Sequence, residues 1–327
     1  MGKFKVIKVT DLENMKIDDE IPESDFSIIT EKSFFQMKYL KDLEEKRRAD
    51  MVVEAGLFHI QKDMVGLFLE RMTFTNDKII EDLVDTKEVE AAVDCFIQNI
   101  PIYQEEFGIE VPRRAALIYG PAGCGKSSAL QRVCNKYVPD GKTAVIIWHT
   151  SKFEAYEVKD FAQTFKYKGV DKLILVAEDL GGVEAEDSRM NSDNSLLSLL
   201  DNNEKTFTIP TFILATTNFA ATFLANIADR PGRFDDKIFV DYPNSETRKR
   251  LLTFFSKGTA DLEALEYIGS EACKELSNAH IKEVYIRSRL RSTPIIDAAK
   301  KVVKEHTQYN KGFRSGGGSI GLGRDDD

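Results

Sequence analysis

The chain contains no apolar run approaching the ~20 residues that span a bilayer. Its first residues, MGKFKVIKVTD, include no apolar stretch of the secretory kind. Val6 stands where an N-terminal acylation pattern requires Ser or Thr. Cysteine is scarce: Cys95, Cys124, Cys134 and Cys273 are scattered through 327 residues without paired spacing. That excludes a disulfide-stapled scaffold and fits reduced thiols in a cytoplasm-like compartment. Histidine is equally scarce. His59, His149, His280 and His306 show no metal-ligand spacing, and there is no H-E-x-x-H run, which excludes a metalloprotease centre of that type. Positive charge is in deficit, with 45 Lys and Arg against 54 Asp and Glu. The resulting net charge of −9 argues against indiscriminate binding to a polyanion, and leaves only a local basic groove open. No internal repeat is present. What remains is a soluble globular chain with room for about two or three domains at roughly 100–200 residues each.

Its organisation changes along the chain. Residues 1–76 read as a separate mixed α/β region for docking a partner or substrate. Within it, Glu31–Asp50 places Phe34, Phe35, Met37, Leu40 and Leu43 near helical spacing. Packing on its own domain and binding a partner are both open for that helix. "MVVEAGLFHIQ" and "MVGLFLERMTF" then read as short strands punctuated by Gly56 and Gly66. In residues 77–242, apolar strands alternate with helical segments. The strands are expected at Ala115–Tyr119, Thr143–His149, Lys172–Ala177, Thr211–Ala215 and Lys237–Val240. Such alternation predicts an α/β fold, a parallel sheet with helices on both faces and its ligand at the carboxyl ends of the strands. Residues 243–308 are helical in character and predict a small helical lid domain. Residues 309–327 are Gly-rich with few apolar side chains and are expected to be disordered.

"GPAGCGKSS" (Gly120, Pro121, Ala122, Gly123, Cys124, Gly125, Lys126, Ser127, Ser128) lies between the strand "AALIY" and the helix-like "SALQRVCNKY". It satisfies G-x-x-x-x-G-K-[ST], the loop whose backbone N–H groups converge on phosphate oxygens at a helix N-terminus. Lys126 is expected to reach the β- and γ-phosphates of ATP, and the Ser127 hydroxyl to ligate Mg²⁺. Cys124 sits inside the loop, where a small filler and a redox-sensitive thiol are both open readings. Downstream, "LILVAEDLGG" is a buried-strand pattern that stops at two carboxylates, Glu178 and Asp179, followed by two glycines. A working site with reversed order, a degraded site and a plain strand end are all open on those residues alone.

"TFILATTNFA" and "ANIADRPGRFDDKIFVDYPNSETRKRLL" follow in order. Together with "GPAGCGKSS", "LILVAED" and "SLLSLLD", they resemble the AAA+ ATPases, in particular the AAA clade with its R-P-G-R-F-D segment. The resemblance covers about residues 78–306. It implies a P-loop NTPase sheet followed by a helical lid. Asn218 would be the sensor that holds the attacking water and γ-phosphate. Arg230 and Arg233 would reach a neighbouring subunit's γ-phosphate; on the local sequence they could instead pair with Asp229, Asp235, Asp236 or Asp241. Arginines supplied in trans imply a closed homo-oligomeric ring, most often a hexamer in this family. "IIEDLVDTKEVEAAVDCF" resembles the lead-in beside the base, with Val84 and with Asp85 where Gly is common. "ELSNAHIKEVYIRSRL", with Ala279, resembles the lid helix near adenine and ribose. Glu178 falls where the family has its magnesium-associated Asp, and Asp179 where it has the Glu that polarises water. The Glu-Asp order also occurs in the mitochondrial translocase branch that handles a folded iron–sulfur protein; that branch carries an N-terminal membrane helix, which this sequence lacks.

Substrate choice is less legible. Many rings of this family thread polypeptide past a pore loop, and "SKFEAYEVKDF" offers Phe153 and Tyr156 as pore aromatics or as packing residues of a short helix. The expected function is a Mg²⁺-dependent ATPase that remodels a protein partner. A nucleic-acid-linked motor or loader, and a nucleotide-gated scaffold with little turnover, are the alternatives.

Overall fold

A computed structural model describes residues 5–6, 28–29, 52–63, 66–72, 84–150, 155–180, 200, 206–218 and 233–315. The centre is a seven-stranded sheet in the order β11-β6-β10-β9-β7-β4-β5. Its strands are β4 (Gly56–Asp63), β5 (Gly66–Met72), β6 (Arg113–Tyr119), β7 (Thr143–His149), β9 (Lys172–Leu180), β10 (Thr211–Thr217) and β11 (Asp236–Phe239). All neighbouring pairs are parallel except the β4–β5 hairpin. Two small pairs lie outside it: β1 (Lys5–Val6) with β2 (Ile28–Ile29), and β3 (Val52–Val53) with β8 (Lys166–Tyr167).

The central strands are apolar on both faces because both faces are covered. Along β9, Leu173, Leu175 and Ala177 enter one buried layer with Val158, Phe161 and Ala162 of α4 (Ala155–Gln163). Ile174 and Val176 enter the opposite layer with α1 (Val84–Gln98) and α3 (Lys126–Tyr137). Helix α2 (Ile100–Glu105) connects α1 toward β6. Helices α1 and α3 are also pinned by polar contacts, Arg132 with Glu90, and Lys136 with Asp94 at 2.5 Å. This fixes the axis of the helix that begins at the phosphate-loop sequence.

Beyond the sheet, α5 (Ser245–Phe255), α6 (Leu262–Gly269), α7 (Asn278–Arg291) and α8 (Ile295–Ser315) enclose a separate core that includes Leu251, Leu252, Ile268, Ile281 and Val284. The starts of α5, α6 and α7 are each set by a side-chain cap. Asn244 Oδ1 accepts from Thr247 N at 2.8 Å, and Asp261 Oδ1 from Ala264 N at 2.8 Å. Ser277 and His280 form a reciprocal box at the start of α7. No helix among the described residues is long and apolar enough to cross a membrane.

The five expected parallel strands are present: Thr143–His149 has the expected bounds, and the ends of the others differ by at most three residues. Two expectations change. The division at residue 76 does not separate two sheets, because β4 and β5, from the expected docking region, extend the main sheet. Strand β4 pairs in parallel with β7 and buries Leu57, Phe58 and Ile60; the alternating pattern showed a strand but could not show which edge it joins. The disorder expected from residue 309 does not begin there, since α8 continues through Ser315. The helix expected at Glu31–Asp50 and Phe153 lie outside the described residues, and Tyr156 falls in the first turn of α4.

Candidate active site

Strand β6 delivers the chain to Gly120, which has φ 146°. A Cβ there would lie 2.0 Å from the Val240 carbonyl oxygen, so the residue after β6 must be glycine for β11's continuation to pass. The loop next uses left-handed backbone at Gly123 (φ 76°) and Gly125 (φ 109°), the latter capping α3. Pro121 and Ala122 lie on its outer side, Cys124 is buried, and Ser127 is exposed on the first turn with Ser128 half-buried behind it. Lys126 is 7% exposed, and its Nζ donates to the carbonyls of Gly120 at 2.7 Å and Pro121 at 2.8 Å. Burial lowers its pKa, opposed by the negative potential of Cys124 and Asp179. The ammonium is thus folded back onto the loop that it closes.

Two strands away, the acidic end of β9 is irregular. Ala177 pairs with Ala215 and Leu180 with Thr217, so Glu178 and Asp179 together face Thr216. This bulge turns two adjacent carboxylates in different directions. Asp179 takes φ 61°, an uncommon conformation for a residue with a side chain, and one that costs on the order of 1–3 kcal/mol. Its surroundings hold it there: Asp179 N donates to Thr216 Oγ1 at 3.0 Å, and Thr150 Oγ1 donates toward the carbonyls of Glu178 (3.0 Å) and Asp179 (3.1 Å). Asn218 Nδ2, just past β10, donates to Asp179 Oδ1 at 3.0 Å. Glu178 turns instead toward β7, where its Oε2 lies 3.1 Å from His149 Nδ1. Burial raises the Glu178 pKa, with His59 opposing the shift and Asp179 adding to it.

A phosphate-loop lysine, a strained carboxylate and an asparagine thus meet at the carboxyl ends of adjacent parallel strands. The family described as "ATPase family associated with various cellular activities (AAA)" matches residues 116–242. Residues 116–242 form an AAA-family ATPase domain. Similar proteins include cell division control protein 48 homolog B of Arabidopsis thaliana, 25% identical over 198 residues (54% of this chain, 33% of that protein). The ATP-dependent zinc metalloprotease FtsH of Rhodococcus erythropolis is 26% identical over 285 residues (75% of this chain, 31% of that protein). The ribosome biogenesis ATPase RIX7 of Saccharomyces cerevisiae is 24% identical over 193 residues (55% of this chain, 23% of that protein). The chain therefore spans about a third or less of the length of these relatives.

The AAA domain makes direct contact with the helical region after it. Ala279 N donates to the Gly123 carbonyl at 3.1 Å, and Asn278 Nδ2 donates to the Cys124 carbonyl at 2.8 Å. A Cβ at Gly123 would lie 2.8 Å from Ser277 Oγ and 2.9 Å from the Ala279 Cβ, so Gly123 serves both the loop and the lid contact. Val84 and Asp85 open α1, which packs on α3 through Val89 and Val93.

The two arginines of the R-P-G-R-F-D segment fare differently. Arg230 lies outside the described residues. Arg233 is 7% exposed and packed within its own chain. One of the acidic partners open to it is otherwise engaged: Asp235 Oδ2 lies 3.1 Å from Arg114 Nε and accepts from Ala115 N at 2.9 Å. Arg113, beside Arg114, donates to the Leu200 carbonyl. Sequence reading missed Thr150, Thr216, His149 and Asn278. The first three are polar residues at the carboxyl ends of strands, a signal that becomes specific only once strand order is known.

Proposed function

We propose that this chain binds ATP with Mg²⁺ at the carboxyl ends of β6, β9 and β10 and hydrolyses it, with Asp179 as the base. The observation that carries this reading is the convergence of Lys126, Asp179 and Asn218 around one loop. On ATP binding, Lys126 exchanges the Gly120 and Pro121 carbonyls for β- and γ-phosphate oxygens. The loop N–H groups and the start of α3 supply further positive potential. Asn218 and Asp179 hold a water against the γ-phosphorus. As that water attacks, its proton passes to Asp179, the bond to the β,γ-bridging oxygen breaks, and ADP and inorganic phosphate result. Only a modest extra reach separates Asp from the Glu usual there, and the bulge with φ 61° turns the shorter side chain toward Asn218.

Magnesium suits the donors available. Ser127 offers a hydroxyl and Glu178 a carboxylate, a hard-oxygen set for a cation that keeps several waters. When bound, Mg²⁺ neutralises charge that develops on the phosphate oxygens.

The wider reading is a homo-oligomeric ring, most naturally a hexamer, in which Arg230 and Arg233 complete a neighbour's site and hydrolysis remodels a protein partner. The residues upstream of β3 would be its docking region. Support comes from the metalloprotease relatives, whose name joins ATP to work on polypeptide. Only that coupling of ATP to work on polypeptide enters the reading. The test is ATP turnover alone, with unfolded protein and with single-stranded DNA. Stimulation by unfolded protein is expected. Stimulation by DNA alone, falling steeply with salt, would replace this reading with a nucleic-acid motor.

A further inference from the structure

Glu178 carries one more rotatable bond than an aspartate, and that bond must be restrained if its carboxylate is to meet Mg²⁺ in one geometry. The restraint is visible across three strands. His149, the last residue of β7, is the register partner of Glu178 on β9, and its Nδ1 lies 3.1 Å from Glu178 Oε2. His59 on β4 pairs in register with Ile147, two residues from His149 on the same face. The two imidazoles meet edge to face, with centroids 5.2 Å apart and planes at 76°. All three side chains stand on the sheet face covered by α3, because Leu57, Val145, Ile147 and Val176, at alternate positions before them, pack on that layer.

We infer that His149 is a positioning residue for the magnesium carboxylate: its Nδ1–H fixes Glu178, and His59 fixes the plane of the His149 ring. The inference rests on the proposed role of Glu178. It gives the β4–β5 hairpin, which lies before the matched AAA segment, a physical hold on the site. The row is not itself a metal triad, since among the described residues no group of three or more His, Cys, Asp or Glu is placed to hold an ion. Residues that hydrogen-bond a ligating group typically change metal affinity by about 10–100-fold when lost.

The chain is titrated with Mg²⁺ in the presence of a fluorescent, non-hydrolysable ATP analogue, and Mn²⁺ binding is read separately by its electron paramagnetic signal. His149→Ala is expected to raise the half-saturating Mg²⁺ concentration by about tenfold while leaving metal-free analogue binding unchanged. His149→Asn, whose amide N–H replaces the Nδ1 donor, restores most of the loss; His149→Gln, with its donor displaced, does not. His59→Leu gives a smaller shift in the same direction. Glu178→Gln separates the two failures. If Glu178→Gln leaves metal affinity intact, the role of Glu178 falls and the inference with it. If Glu178→Gln weakens metal binding while His149→Ala matches the wild type, or His149→Asn is no better than His149→Ala, the inference alone is overturned. Tighter metal binding in His149→Ala would also overturn it, by showing that the histidine withholds Glu178 from the ion.

Discussion

Cys134 illustrates how strongly one residue's surroundings decide its chemistry. It lies on the inner face of α3, is 3% exposed, and burial pushes its thiol up from 9.0 to about 12, with Glu178 adding to the shift. Cys273 is raised by burial as well, whereas Cys95 is exposed. Alkylation of the native protein at pH 8, read by peptide mass, should therefore mark Cys95 and spare Cys134 and Cys273. The raised thiol also has a sign for stability. The unfolded chain releases the Cys134 proton near its ordinary value while the folded chain retains it, so stability falls as pH rises from about 9.0 toward 12. Rapid labelling of Cys134 at pH 8 without unfolding would contradict this placement. The phosphate-loop residues were legible in the sequence because glycine, lysine and serine at fixed spacing leave few other uses. The pairing of His149 with Glu178 was not, because it depends on a register between strands 29 residues apart.

At the scale of elements, one arginine ties the lid together. Arg248 on α5 is 4% exposed and donates to four carbonyls: Ile268 (2.8 Å), Pro243 (2.8 Å), Gly269 (2.9 Å) and Ser270 (3.0 Å). It thereby joins the segment leaving the sheet to the end of α6. Arg248→Ala would strand those carbonyls and should cost about 3 kcal/mol or more in lid stability. Urea unfolding followed by limited proteolysis checks this, with cleavage expected after β11 and an unchanged midpoint as the contrary result. Elements with strong periodicity, such as the five parallel strands and the lid helices, could be read in advance. The hairpin could be read as strands but not placed. Its residues alternate as any half-covered pair does, and only the open edge of β7 determines where they go. Arg248 was invisible for a similar reason, since an arginine in "SETRKRLL" reads as an exposed helix charge until α6 folds over it.

The whole molecule poses the question of whether a site is completed by a second copy. Arg230 and Arg233 are proposed to act across a boundary, although Arg233 is buried in the single chain. Lys126→Ala removes nucleotide binding from its own subunit and should leave its arginines available; Arg230→Ala does the reverse. Each variant alone should be inactive. Mixed in equal amounts, they should recover about a quarter of wild-type turnover, because that share of interfaces pairs an intact site with an intact arginine. No recovery on mixing would place the arginines in cis, and turnover by Arg230→Ala alone would place Arg230 outside the reaction.

The two carboxylates at the end of β9 divide the chemistry, Glu178 toward Mg²⁺ and Asp179 toward the attacking water, in the proposed reaction. Single-turnover hydrolysis by Asp179→Asn, with radiolabelled ATP and Mg²⁺, tests it. Asp179→Asn should bind ATP about as tightly as the wild type and hold it uncleaved, with the rate down by about 10²-fold or more. Hydrolysis at the wild-type rate would contradict it, because Asp179 could not then be the base.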